Sequence, residues 1–200
     1  MNRPPTLTTA RLVLFVPKPA DLERVLAFNE RNAEHFARFS PPPHQGSLAE
    51  AVARRVTSAE RDHHEDRGLV LVAVAREDPR GPVLAEIQFS NVVRGAFQAC
   101  HLGYKLDGAC EGQGLMAEAL TAAIAYVFEE MRLHRVMANH QPTNERSGRL
   151  LRRLGFVVEG YARDYLRIGG AWRDHVLTSL TNERWVCAED GSSGSRPPIR

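Results

Sequence analysis

The sequence predicts a mixed sheet layered by helices, in the α/β or α+β class. Extended apolar runs precede the third predicted helix and further runs follow it, so strands and helices are interspersed along the chain. The chain has 200 residues, of which 43% are hydrophobic. That length and composition predict one domain with a core of its own.

The predicted strands are short runs with strand periodicity or continuous apolar character. The run 69–75 is apolar throughout, which is typical of a strand buried on both faces. A turn around Gly81 follows it, and Arg94–Gly95 and Gly169–Gly170 predict hairpin turns. The predicted strands are residues 11–16, 69–75, 83–93, 96–106, 135–139, 157–159, 161–168 and 172–180.

Four segments have helical spacing. Pro19 suits the first turn of the first helix, and Ser47 with Glu50 forms a capping-box pattern at the start of the second. Three consecutive prolines at 41–43 keep these two helices apart, and Gly155 is expected to end the fourth. The first helix carries Leu22, Val25 and Leu26 on one face, and the others are predicted at about residues 48–65, 115–131 and 145–154.

Composition excludes several classes of protein. With 26 basic and 24 acidic residues the net charge is +2, so no broad field is expected to bind nucleic acid or an anionic membrane. The longest apolar run, 69–75, is too short to span a bilayer. Cys100, Cys110 and Cys187 are odd in number and lack metal-ligand spacing, which argues against a disulfide framework and a zinc site. A reducing, cytoplasmic compartment and no metal site are therefore predicted.

The domain boundaries follow from composition at the two ends. Residues 1–9 are predicted to be a short N-terminal extension, and residues 10–187 to form the domain. Residues 188–200 are rich in Gly, Ser and Pro without apolar periodicity, which predicts a disordered tail.

The most informative stretch is a glycine loop between a predicted strand and the third helix. Gly112 and Gly114 allow a tight turn, and the first turn of the helix offers unpaired N–H groups at its positive end, which suits a phosphate. Together with Ala117 these glycines fit the dinucleotide fingerprint G-x-G-x-x-[G/A]. That motif needs an acidic residue after the next strand, and residues 133–143 contain neither Asp nor Glu. The dinucleotide hypothesis is therefore rejected.

The same loop resembles the diphosphate motif (Q/R)-x-x-G-x-(G/A) of the GNAT acetyltransferases. Glu111 stands where Gln or Arg is usual, and Met116 where a small residue is usual. Further segments strengthen the resemblance to the RimJ-type ribosomal-protein-alanine N-acetyltransferases, over about residues 6–185. These segments are residues 89–95, 102–104, 142–147, 150–156, 159–160 and 172–175.

The resemblance implies a GNAT fold, with a splayed, mostly antiparallel sheet layered by about four helices. It implies direct transfer of acetyl from acetyl-coenzyme A to a protein N-terminal α-amine, alanine of a small-subunit ribosomal protein, with coenzyme A as product. Ribosome or pre-ribosome association and a monomer or homodimer are expected, with no membrane partner. The alternatives are transfer to a small-molecule amine, and a non-catalytic acetyl-coenzyme A-binding factor for ribosome maturation.

The resemblance also assigns residues to the cofactor. The strand over residues 100–106 is expected to pair with pantetheine through its main chain, while the neighbouring strand at 134–139 diverges. Asn144 is expected to hold the pantetheine arm, to cap the helix, or to do both, since a cap lies at the mouth of a helix. Ser147 is either a general acid toward the thiolate or an ordinary first-turn serine. The assigned residues are Leu102, Gly103, Tyr104, Gln113, Gly114, Leu115, Met116, Ala117, Asn139, Asn144 and Ser147.

The acceptor amine sets the demand on the base. A peptide α-amine has a pKa of about 8, against about 10.4 for lysine, so an α-amine needs only a modest base. Asp164 is the first candidate and Glu86 the second; either could instead be paired with an arginine. Strand amides near residues 102–104 are expected to polarise the thioester oxygen. The cysteines are expected to be inert, since neither Cys100 nor Cys110 has an evident base partner.

The acceptor peptide is expected in a groove between the first two helices and the last hairpin. An aromatic residue assigned to it is more often a core residue than a substrate contact. The candidates are Phe36, Phe39, Asn91, Tyr104, Tyr165 and Trp172.

Overall fold

The computed structural model describes residues 4–41 and 46–186. They form one eight-stranded sheet in the order β1-β2-β3-β4-β5-β6-β8-β7, antiparallel except between β5 and β6. The strands are β1 (Thr6–Thr8), β2 (Leu12–Phe15), β3 (Leu69–Ala75), β4 (Ala85–Val93), β5 (Ala99–Leu106), β6 (Arg135–His140), β7 (Val157–Ile168) and β8 (Ala171–Thr181). The helices are α1 (Leu22–Arg31), α2 (Ala33–Ala37), α3 (Leu48–His64), α4 (Leu115–Glu129) and α5 (Glu145–Arg153). The predicted mixed fold is confirmed.

The sheet is buried on both faces at β3, as its unbroken apolar run predicts. Leu71 belongs to a core that also holds Leu120 of α4. Val72 belongs to a second core with Phe28 of α1 and Val52 of α3. The helices therefore layer the sheet from two sides.

Local signals place most element boundaries. The Ser47–Glu50 capping box is present: the Glu50 N–H donates to Ser47 Oγ at 3.2 Å and the Ser47 N–H donates to the Glu50 carboxylate at 2.7 Å. Gly155, with φ of 89°, ends α5 in the left-handed region that favours glycine.

Three elements differ from the sequence-based expectation. Thr6–Thr8 pairs with β2, so part of the predicted N-terminal extension is an edge of the sheet. The short helix α2 has no periodicity long enough to predict it. The two predicted runs at 157–168 form one irregular strand. The predicted tail, Cys187 and two of the three prolines at 41–43 lie outside the described residues.

The parallel pair β5–β6 opens along its length, as the resemblance implies. Pairing covers Ala99–His101 on β5 and ends where His101 lies opposite Met137. Beyond this point Leu102–Leu106 pairs only with β4, and Ala138–His140 pairs only with β8. The facing edges therefore keep unpaired main-chain groups, which are the groups an extended ligand can bind. Within the described ranges no helix combines the length and the apolar composition needed to cross a membrane.

Candidate active site

A cavity of about 660 Å³ occupies the opening between β5 and α5. Its wall comes from α2 and the residues that follow it, the end of β5, the glycine loop, the first turn of α4, and α5 from Arg146 to Arg153. The elements that form it are distant in sequence, so the cavity exists only in the folded sheet. Among the residues assigned to the cofactor, those that line it are Tyr104, Gly114, Met116, Ala117, Asn144 and Ser147.

The glycine loop presents its backbone to this cavity. Gly112 and Gly114 both have φ of 76°, and a Cβ on Gly112 would meet no atom within 4 Å, so the space beside the loop is open. Gly114 is the N-cap of α4 and supplies no side-chain cap. The first N–H groups of α4 therefore remain available to an anion. Leu115 itself packs in the core, and the side chain of Gln113 turns back to donate to the Ala109 carbonyl at 3.2 Å.

The N-terminal segment holds this loop from behind, a support that sequence reasoning missed. Arg11 donates from Nη1 to the Gln113 carbonyl at 2.9 Å and from Nε to Glu118 at 2.7 Å. Thr9 donates its hydroxyl to the same carboxylate at 2.6 Å. The Thr9 hydrogen bond, followed by those from Arg11, lowers the pKa of Glu118. The segment between β1 and β2, which is far from α4 in the chain, thus fixes the start of that helix.

Two hydroxyl groups meet across the opening. Tyr104 Oη of β5 lies 2.7 Å from Ser147 Oγ in the first turn of α5. Asn144 caps that helix, since its Oδ1 accepts the Ser147 N–H at 3.2 Å. Burial raises the pKa of Tyr104 to about 12, so its phenol stays protonated at neutral pH. Tyr104 is therefore a hydrogen-bond donor at the cavity wall.

The mouth of the cavity is cationic. Glu111, the unusual acid of the glycine loop, forms an ion pair with Arg146. Its carboxylate also lies 3.2 Å from His35 Nε2, a contact that is an ion pair only when His35 is protonated. Its charge is therefore offset by a neighbouring cation instead of standing alone beside a ligand phosphate. The arginines that line the mouth are Arg38, Arg146, Arg149, Arg152 and Arg153.

The inner wall on the α2 side is formed by Phe36, Phe39 and Lys105. The Lys105 ammonium lies 5.3 Å from the Phe36 ring centroid and donates to Asn29 Oδ1 at 3.3 Å. Burial lowers the pKa of Lys105, while nearby Glu86 opposes the shift. Phe36 is thus both a core residue and a wall residue, and Phe39 is 39% exposed.

The structure places both predicted bases away from the cavity wall. Glu86 is 4% exposed and accepts a hydrogen bond from Arg55 at 2.8 Å, which is the buried ion pair that sequence reasoning kept as its alternative. Asp164 is exposed at an irregularity of β7 with φ of 50°, and its N–H donates to Asp174 at 2.9 Å. Within the described residues Asp164 has no ion pair with Arg163 or Arg167.

Other assigned residues also lie outside the cavity wall. Asn91 is exposed in a bulge of β4 with φ of 52°, and Trp172 is 61% exposed beside the turn between β7 and β8. Neither residue lines the cavity. Leu102 and Gly103 lie on β5 nearer the point where the strands part.

A polar pair joins the end of β6 to the last hairpin. Asn139 donates from Nδ2 to Tyr165 Oη at 3.1 Å, and its Oδ1 accepts the Thr178 N–H at 3.3 Å. The Tyr165 ring lies 5.3 Å from that of His175, measured between centroids. Asn139 and Tyr165 are therefore brought together, although neither lines the cavity.

The described cysteines are poor nucleophiles. Burial raises the pKa of Cys100 to about 12 and also raises the pKa of Cys110, where nearby Asp107 adds to the effect. Both thiols therefore stay protonated at neutral pH. Over residues 4–41 and 46–186 no three His, Cys, Asp or Glu side chains are grouped so as to hold a metal ion.

A strand with a free edge, an uncapped helix start and a cationic mouth are suited to a long ligand that carries both amides and phosphates. Among the described residues the cavity wall offers a hydrogen-bond donor in Tyr104 and contains no cysteine.

The chain belongs to the GNAT acetyltransferase family: the model of the acetyltransferase (GNAT) domain matches residues 11–157. It is 40% identical over 180 residues to the ribosomal protein uS5-alanine N-acetyltransferase of Escherichia coli (strain K12), covering 90% of this chain and 92% of that protein. A crystal structure of the ribosomal-protein-S5-alanine acetyltransferase of Vibrio fischeri superposes with a TM-score of 0.84 at 32% identity, covering 92% of this chain and all of that one. Mycobacterium smegmatis RimJ, in complex with CoA-disulfide, has the same fold, with a TM-score of 0.81, 23% identity and 91% of each chain covered.

Proposed function

We propose that this acetyltransferase moves acetyl from acetyl-coenzyme A to the N-terminal α-amine of a protein, an alanine of a small-subunit ribosomal protein. The opening between β5 and β6 carries the proposal, because it joins a free strand edge to the uncapped start of α4. The acceptor follows from the 40% identity to the uS5-alanine N-acetyltransferase over 90% of the chain. The reaction is assigned to the cytoplasm, where ribosomal proteins are available.

The residues present fit the donor. The unpaired main chain of Leu102–Leu106 suits the amides of a pantetheine arm, and the cavity of about 660 Å³ continues from it. The amides of residues 113–117 and the arginines of the mouth suit a diphosphate. Acetyl-coenzyme A, when bound there, supplies an acetyl group activated as a thioester.

Tyr104 and Ser147 stabilise the leaving sulfur by hydrogen bonding and do not transfer a proton to it. The Tyr104 pKa is about 12, whereas a thiol has a pKa of about 8.5. Full transfer from the phenol would be unfavourable by roughly 5 kcal/mol, at about 1.36 kcal/mol for each pKa unit. The role of Ser147 is therefore that of a hydrogen-bond donor, with Tyr104 fixing its hydroxyl from 2.7 Å.

The test uses the intact protein, acetyl-coenzyme A and a panel of peptides. We expect an alanine-starting peptide to gain one acetyl group by mass spectrometry. The same peptide with its N-terminus blocked and an internal lysine retained should gain none. Turnover of small-molecule amines alone would favour the small-acceptor alternative. Binding of acetyl-coenzyme A without turnover of any amine would favour the non-catalytic maturation factor.

The cellular counterpart of this test compares ribosomal proteins with and without the gene. We expect one small-subunit protein to lose the mass of one acetyl group when the gene is deleted. Unchanged N-termini would contradict the proposed acceptor.

A further inference from the structure

His101 lies at the point where β5 and β6 part. It is opposite Ser90 on β4 and Met137 on β6, on the last paired position of the two parallel strands. It is half-buried, and its Nδ1 is enclosed without a hydrogen-bond partner among the described residues. A polar ring atom held in this way at the vertex of a ligand opening calls for a functional explanation.

The side chain of His101 belongs to the face of the sheet opposite the α4 core. Cys100, Leu102 and Tyr104 alternate with it and pack in that core. Residues directly across in register share its face, so Ser90 and Met137 lie beside it. We name this face the polar trough; its residues are Gln88, Ser90, His101, Gly103, Met137 and Asn139.

The polar trough is partly open to solvent. Gln88 and Gly103 are exposed, and Ser90, His101 and Asn139 are half-buried. Arg55 of α3 reaches the same face further along, at Glu86. At its other side the trough continues through the hydrogen bond of Asn139 to Tyr165. An acceptor amine can therefore reach the vertex from this side while the donor lies along β5.

We propose that His101 is the group that accepts the proton of the acceptor α-ammonium. This inference rests on the proposed function, and it replaces Glu86 and Asp164 as the base. Glu86 is held by Arg55 within a buried ion pair, and Asp164 lies exposed on the edge strand β7. His101 is nearer the vertex than either and is free of partners among the described residues.

The proton balance is simple. His101 takes one proton from the ammonium, and the freed electron pair of nitrogen forms the bond to the acetyl carbon as the carbon–sulfur bond breaks. The nitrogen loses its second proton to the departing sulfur through solvent. The products are an amide, a thiol and an imidazolium, which returns its proton to water. No other co-reactant is needed.

The protonation state of His101 suits this role. Burial lowers the pKa of His101, so the imidazole is neutral at pH 7 and can accept a proton. The titratable groups on the same face are Lys105 and Glu86, the latter paired with Arg55 of α3; Tyr165 and His175 of the last hairpin lie beyond Asn139. A histidine is a stronger base than a carboxylate and still weaker than the amine, which is the range that general-base catalysis favours.

The test measures kcat/KM for an alanine-starting peptide from pH 5.5 to 9 in wild type and His101→Gln. The wild-type value should rise as His101 loses its proton and then change little through the pKa of the amine, about 8, because the base supplies neutral amine below that pH. The variant can use only the small neutral fraction of amine, so its kcat/KM should rise with pH to about 8. At pH 7 we expect a loss of about 100-fold.

Two controls separate this role from a structural one. His64→Gln, at an exposed position at the end of α3, should keep the wild-type profile. Acetyl-coenzyme A affinity should be unchanged in His101→Gln, and imidazole should restore part of the activity of His101→Ala. An active wild type whose pH profile and rate survive His101→Gln would overturn the inference alone. A wild type that acetylates no α-amine would overturn the proposed function together with it.

Discussion

The hydroxyls of Tyr104 and Ser147 act as one unit, because each fixes the other at 2.7 Å. Residues that work as a unit give non-additive losses when they are removed singly and together. We expect Tyr104→Phe and Ser147→Ala each to lower kcat by about 100-fold, comparable to the loss of one preorganised donor. The double variant should be little worse than either single variant.

The matched control for Tyr104→Phe is Tyr126→Phe. Tyr126 also has a half-buried hydroxyl, which bonds to His63 at 3.2 Å on α3, far from the cavity wall. Single-turnover rates with saturating acetyl-coenzyme A provide the measurement. Losses that multiply in the double variant would contradict a shared role.

Glu111 competes with a ligand phosphate for the guanidinium of Arg146. Its carboxylate engages Arg146 at the mouth, so Arg146 must divide its charge between Glu111 and a ligand phosphate. Glu111→Gln should therefore tighten acetyl-coenzyme A binding by about threefold to fivefold, the effect of a partly screened charge. The gain should shrink as salt is raised.

Isothermal titration at two salt concentrations measures this effect of Glu111. Glu65→Gln is the control, because Glu65 pairs with Arg67 at 2.5 Å at the end of α3 and neither residue lines the cavity. Weaker binding in Glu111→Gln would mean that the ion pair orders the loop more than it competes with the ligand.

Local sequence signals predict the role of some site residues and not of others. The cap at Asn144 follows from asparagine before a helical run, and the structure confirms it. The meeting of Tyr104 with Ser147 joins residues 43 positions apart, so it depends on tertiary structure. The ion pair of Glu86 with Arg55 is likewise fixed only when α3 packs on the sheet. From the sequence, an ion pair of Glu86 with an arginine is one of two alternatives, and nothing local decides between this pair and a catalytic base.

At the scale of elements, the start of α4 depends on the N-terminal segment. Glu118 accepts hydrogen bonds from Thr9 and from Arg11, which also holds the Gln113 carbonyl. Glu118→Gln should loosen the glycine loop, so we expect weaker acetyl-coenzyme A binding by several-fold and a lower Tm at pH 7. Thr121→Val, on the exposed side of α4, is the control.

The same carboxylate makes the stability of the fold depend on pH. The folded-state pKa of Glu118 is lowered from its ordinary value of 4.5, so its contribution to stability is present above pH 4.5 and is lost as pH falls through the folded-state pKa. The Tm difference between wild type and Glu118→Gln should therefore shrink as pH falls below 4.5 and vanish below the folded-state pKa. A difference that persists in acid would mean that the carboxylate charge is not the cause.

Helices and strands with a long hydrophobic pattern can be predicted from the sequence. Strands and bulges that exist only because a neighbouring strand pairs with them cannot. The strand β3 and the helix α4 carry long apolar patterns that identify them without tertiary information. Thr6–Thr8 is too short to show a period and becomes a strand only because β2 offers it a partner. The bulges of β7 arise from its mismatch with β8, which no local pattern records.

At the scale of the whole molecule, the opening of the sheet organises the site. The β5–β6 pair is the sheet's one parallel contact among the described strands, and it ends at His101 and Met137. The cavity beyond that point draws its wall from α2, β5, α4 and α5. A ligand bound there should therefore contact α2, β5, α4 and α5 at the same time.

This arrangement predicts that acetyl-coenzyme A stabilises the molecule globally. A ligand that binds only the folded state at 100 times its Kd adds about 2.7 kcal/mol to the free energy of unfolding. For a chain of 200 residues that corresponds to a rise in Tm of roughly 5–10 °C.

Hydrogen exchange should slow in α2 and α5 as well as in the glycine loop, because all of them form the wall. A nicotinamide dinucleotide at the same concentration should leave Tm unchanged, since residues 133–143, which include β6 and its end, contain neither Asp nor Glu to bind its ribose. An unchanged Tm with acetyl-coenzyme A, or an equal rise with the dinucleotide, would contradict both the donor and the role of the opening.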